Sequence, residues 1–175
     1  MNKRQKYRFA FIITGFALVL LFIYREDVLG NILAPMTFTT ARATLLLLHL
    51  CGIEAARTAT VIYHPNGFAY EIYYRCVGFL PVALLTISIF AYPGRSRFKF
   101  PGLALGLPLL LSLNLLRLVC LFYIGVYFPS AFGFAHAVIW DSLMMLATFG
   151  LWLVWIKWKE EKLHERSYQE TGSFK

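Results

Sequence analysis

One cysteine, Cys76, stands where a polar segment turns apolar, in Tyr73-Tyr74-Arg75-Cys76-Val77-Gly78-Phe79-Leu80-Pro81. A thiol acts as a nucleophile through its thiolate, whose population rises beside cations and at helix N-termini. Two side chains in later apolar runs complement it, Arg117 and His136. An imidazole can remove a thiol proton and later give one to a leaving amine. A fixed guanidinium can hold the thiolate, or the oxyanion of a tetrahedral intermediate. Cys76, His136 and Arg117 thus point to cleavage or transfer of an acyl group. Each also has a plainer reading alone: a packed thiol, an interfacial histidine, and an arginine reaching for headgroups.

Other candidates rank below these three. Asn114 precedes Arg117 by three positions on one helical face, where it could orient the guanidinium or hydrogen bond between helices. Arg75 adjoins Cys76 and could lower its pKa, or be a solvated charge. Asp141, five residues after His136, falls about 140° away around a regular helix and is not expected to orient the imidazole. Cys120, one turn beyond Arg117, reads as a packed thiol. His49 and Cys51 are two residues apart on different helical faces, which argues against a dyad. His64, in a turn, is expected to face solvent. Gly102 and Gly106 form a small-xxx-small packing pattern.

The elements that must position these residues are membrane elements. The 175-residue chain is 59% hydrophobic and only 15% charged, too apolar for an ordinary soluble domain. It reads as a single membrane domain, residues 1–175, of all-α integral membrane class. The net charge of +8 sits beside apolar runs and forms no stripe interleaved with aromatics, so no nucleic-acid partner is expected. Three cysteines with no CxxC pair and no ligand spacing give neither a zinc site nor a disulfide framework, and no metal or cofactor is expected.

Four spans are predicted, at about 9–24, 76–92, 102–124 and 134–156. The first resembles a signal sequence but lacks a small-residue cleavage pattern, so it is taken as retained. Residues 31–53, bracketed by Pro35 and Gly52, read as an outer interfacial helix. Residues 58–75 read as a small extracytoplasmic β-hairpin, signalled by Asn66-Gly67 between β-rich runs. The tail 157–175 is charged.

Basic residues set the orientation. Four lie in residues 1–8, three in 95–99 and five from 157 onward, and all twelve belong in the cytoplasm. Passing from an inside N-terminus to an inside 95–99 loop needs an even number of crossings, which keeps 31–53 on the outer face. Both termini are then cytoplasmic. Cys76 and Arg117 each lie about 24 Å up their helices, near the outer edge of a core about 30 Å thick. His136 opens the last span at the same face.

Cys76-Val77-Gly78 after a hairpin, Asn114-Leu115-Leu116-Arg117 within a span, and Ala135-His136 opening the next resemble the three motif blocks of the exosortase and archaeosortase family. The likeness covers about residues 46–155, and the length is similar to shorter members such as the exosortase H type. Val77 departs from the small or hydroxyl residue that many members carry there. The resemblance implies a multispanning cysteine protease or transpeptidase of the inner membrane. Cys76 would be its nucleophile, His136 its acid and base, and Arg117 its electrostatic stabiliser, with the site at the extracytoplasmic face. The implied partners are membrane lipid, exported proteins ending in a sorting signal (short motif, membrane span, basic tail), and an acceptor nucleophile. The competing readings are a membrane thiol redox protein, which ordinarily needs a second cysteine, and a non-enzymatic subunit of an export or assembly system.

Overall fold

The structure, a computed structural model, describes residues 14, 15, 18, 26–92 and 98–172. Of the first expected span, 9–24, only Thr14, Gly15 and Leu18 are therefore described; Gly15 lies against Ile87. In order come α1 (Glu26–Leu50), β1 (Ala56–Thr58), β2 (Val61–Tyr63), β3 (Ala69–Glu71) and a 3-10 turn (Tyr74–Val77). Then follow α2 (Phe79–Ala91), α3 (Lys99–Tyr127), α4 (Pro129–Phe134), a π-helical turn (Ala135–Trp140) and α5 (Asp141–Gly172). Two helices among the described residues are long and apolar enough to cross a membrane: α3, and the continuous run from Pro129 to Glu165. The apolar α2 is shorter, at 13 residues.

α1 is longer than the sequence implies, because Pro35 lies inside it and does not mark its start. Proline removes one backbone donor, and hydroxyls gather around the gap: Thr37 Oγ1 donates to the Ala34 carbonyl at 2.7 Å, and Thr39 Oγ1 to Pro35 at 3.0 Å. Gly52 does end the helix as expected. Its φ of +74° lets the Gly52 N–H reach the His49 carbonyl and the Ile53 N–H reach that of Leu48, both at 3.0 Å. That pairing closes a Schellman cap, with Ile53 and Leu48 in one apolar cluster.

The expected hairpin has one strand more than predicted, since β1 pairs with β2 to make a three-stranded antiparallel sheet, β1-β2-β3. The Asn-Gly turn lies between β2 and β3, and Asn66 Nδ2 ties it to the Val126 carbonyl at the end of α3 (3.2 Å). His64 is not turned to solvent. It is half-buried, with its ring edge-on to Phe122 at 6.3 Å.

The sheet seats on α3 through Phe68, whose ring lies over Gly125. A Cβ there would fall 1.9 Å from Phe68 Cζ. Gly125→Ala is therefore expected to overpack the seat at a cost of about 2 kcal/mol, lowering the unfolding midpoint in detergent by roughly 4 to 8 °C. An unchanged midpoint would mean that the sheet is not clamped there. At the other end of α3, Gly102 receives Trp155 of α5 and Gly106 receives Leu85 of α2, so the small-residue pattern packs two different helices.

Candidate active site

Cys76 lies in the 3-10 turn, ahead of α2, so the helix begins three residues later than the expected span 76–92. Gly78 makes the junction. Its φ of +76° is both the cap of the 3-10 turn and the entry to α2, and a Cβ there would press on Asn114 Cγ at 3.2 Å. The turn is pinned from α3: Asn114 Nδ2 donates to the Cys76 carbonyl at 2.7 Å. Asn114 thus positions the cysteine backbone and does not orient Arg117. Its Oδ1 has no hydrogen-bond partner among the described residues.

α3 carries Asn114, Arg117, Leu118 and Leu121 on its buried face. Arg117 is only 6% exposed, and a charge so placed needs partners. One guanidinium nitrogen supplies both, standing 2.8 Å from Asp141 Oδ1 and 3.4 Å from His136 Nε2. Arginine holds all its protons, so this contact places the imidazole lone pair on Nε2 and its proton on Nδ1. Arg117 Nε has no partner among the described residues.

His136 does not open its helix. Pro129 takes the first helical position, and Phe128, kept out of helical geometry by the following proline, has φ −137° and ψ 60°. The helix is therefore two turns old at His136. Its imidazole stacks on Phe132 at 6.0 Å with 24° between planes, and Phe132 packs in turn on Phe68 and Tyr70 of the sheet.

Asp141 reaches the same place through the π turn. In a regular helix, five residues leave two side chains about 140° apart, whereas a π turn bonds i to i+5 and closes most of that gap. His136 and Asp141 consequently address one guanidinium. The regular-helix phase hides this pairing in the sequence, and its one signal is the five-residue spacing.

A cavity of about 440 Å³ adjoins both the cysteine and the histidine, lined among others by Tyr70, Tyr74, Cys76, Leu121, Phe132 and His136. Arg75 lines it too, with Nε 3.0 Å from its neighbour's hydroxyl, Tyr74 Oη. The Tyr70 hydroxyl donates to the Leu118 carbonyl at 3.2 Å, and burial raises its pKa far above the ordinary tyrosine value. A second depression of about 490 Å³ lies beside His49 and Tyr63, but no cysteine lines it. His49 is occupied there by the Ala55 carbonyl at 2.8 Å, and Cys51 is exposed in the cap. The three cysteines are all free thiols.

Burial pushes the Cys76 thiol above its ordinary range, and the Asp141 carboxylate adds to this. A backbone hydrogen bond at Tyr73 and the Arg117 guanidinium oppose it without cancelling it. A raised pKa keeps the proton on sulfur at neutral pH, so the resting group is a thiol that needs a base. Alkylation of Cys76 by iodoacetamide in the purified protein is expected to rise with pH through a midpoint above about 8.5, the value of a free cysteine. A midpoint near 7 would show a preformed thiolate instead.

A bundle with two long apolar helices, closed at one end by a small sheet near a buried thiol, a buried guanidinium and a half-buried imidazole, is an integral membrane protein with these groups gathered at one end. The chain matches the family model described as transmembrane exosortase over residues 3–155, and it belongs to that family. Membership carries a membrane transpeptidase or sorting role of cysteine-peptidase type. No curated protein and no solved structure matches the chain.

Proposed function

We propose that the protein is a membrane-embedded cysteine peptidase or transpeptidase that cleaves the C-terminal sorting signal of exported proteins. The observation that carries this reading is the shared cavity: Cys76 and His136 line it together, and Arg117 stands 3.4 Å from the imidazole. In this mechanism the His136 Nε2 lone pair turns from the Arg117 N–H to take the Cys76 proton, and the thiolate attacks the scissile carbonyl. A C–S bond forms, and the oxyanion is stabilised by Arg117. Collapse of the intermediate breaks the C–N bond, and His136 gives its proton to the leaving amine. The thioester on Cys76 is then resolved by an acceptor nucleophile, which regenerates the thiol.

The proposed topology has four crossings: residues 9–24, α2, α3 and the helix from Pro129. Both termini are in the cytoplasm, and the sheet and Cys76 are at the extracytoplasmic face of the inner membrane. α1 lies at the outer interface, where the Thr-lined segment around Pro35 and the exposed Arg57–Phe38 cation–π contact at 4.4 Å suit a headgroup environment.

The test uses host cells lacking the protein, complemented with wild type or with Cys76→Ala, and follows an epitope-tagged exported protein that ends in a short motif, an apolar span and a basic tail. Loss of anchor removal in the variant supports the reading. Normal processing ends it.

A further inference from the structure

We infer that Asp141 is a positioning residue for the reaction, holding Arg117 against His136 through an ion pair that the π turn makes possible. The inference rests on the functional reading above and extends it to a residue outside the Cys, His and Arg set. Three observations carry it. The Asp141 carboxylate is 2.8 Å from the same guanidinium nitrogen that stands 3.4 Å from His136 Nε2. The Arg117 side chain is nearly buried, at 8% exposure, whereas that of Asp141 is 55% exposed, so a single carboxylate at the edge anchors a charge within. Finally, the π turn Ala135–Trp140 contains His136 and ends just before Asp141, and its wider winding aligns residues that a regular helix would turn apart.

The chemistry gives this arrangement a use. When His136 takes the thiol proton, an imidazolium and a guanidinium stand side by side, two cations in one small site. They repel, and a flexible guanidinium would swing away from the oxyanion it has to meet. The carboxylate holds the guanidinium at the same nitrogen that faces the imidazole and offsets one of the two charges. It touches neither the thiol nor the substrate carbonyl; it acts through Arg117. π turns recur at functional sites because they re-aim side chains without breaking a helix.

The experiment uses the full-length protein in proteoliposomes and the tagged exported protein described above, with anchor removal timed by blot. Asp141→Asn keeps the shape and removes the charge; it is expected to slow processing about 10- to 100-fold. Asp141→Glu restores the anion and should recover to within about threefold of wild type. In an Arg117→Ala background, Asp141→Asn should slow the remaining activity by less than about threefold, since the partner it positions is already gone. Processing at the wild-type rate in Asp141→Asn overturns the inference. So does a full further loss in the Arg117→Ala background, which would show two independent effects. An Asp141→Asn protein whose thermal transition collapses along with its activity would make the residue structural, and this also overturns it. None of these outcomes touches the role of Cys76, which is tested separately by Cys76→Ala.

Discussion

Cys76→Ala is expected to lower anchor removal by at least about 10⁴-fold, the scale on which covalent catalysis fails when its nucleophile is deleted. Cys76 is 7% exposed, in a turn held by Asn114 at its carbonyl and by the Tyr73 carbonyl at its N–H. Both of those contacts are made by the backbone and survive the substitution. Only the sulfur is lost, a small cavity costing about 1 kcal/mol, so the protein should remain folded and inserted. Cys76→Ser sharpens the test. It fills the same space, but its hydroxyl is far less acidic than a thiol and the site holds one histidine to activate it. Residual processing should stay below about 1% of wild type. Expression level, detergent melting and Asn114-dependent packing are expected to be unchanged in both variants. A serine variant with wild-type rates would mean that the sulfur forms no covalent bond with the substrate.

The candidate site residues were legible because their types are out of place: a cysteine at an apolar boundary and an arginine inside an apolar run both ask for a reason. What the sequence did not disclose depends on local winding or on backbone contacts. Asp141 was set aside on a phase of 100° per residue, which fails across Ala135–Trp140, where the helix is wider. Asn114 shares a face with Arg117, as its spacing implies, yet its amide is taken by the Cys76 carbonyl, a partner no side-chain pattern can reveal. β1 is Ala56-Arg57-Thr58, too short and too poor in β-branched or aromatic residues to register as a strand, and it forms because β2 offers it an edge. Pro35 suggested a helix boundary, but the helix runs through it from Glu26 to Leu50. The general lesson concerns angle: a fixed phase per residue misplaces side chains around a helix where a π turn intervenes.

Arg117→Lys is expected to reduce processing about 100- to 1,000-fold while leaving the fold in place. The ammonium keeps the charge, so the cost of an unpaired Asp141 is avoided and Asn114 still holds the turn. A lysine, however, carries one point donor group where the guanidinium presents a planar fork. In the native site one nitrogen of that fork faces both Asp141 and His136, while Nε has no partner among the described residues. A group that faces its neighbours with one nitrogen and keeps donors in hand is suited to receive an oxyanion without releasing its supports. Lysine must choose between Asp141 and the substrate, and loss of one oxyanion donor costs about 10²- to 10³-fold. Arg117→Ala should be worse on two counts, because it deletes the donor and strands the carboxylate. The deciding measurement is the pair of rates for Lys and Ala set beside iodoacetamide labelling of Cys76. Lysine should leave the labelling midpoint near wild type, since a cation remains by the thiol. Alanine should move it upward, because the Arg117 charge that lowers the Cys76 thiol is gone. Equal processing by Lys and wild type would show that only charge matters at this position, and that the fork geometry plays no part in the reaction.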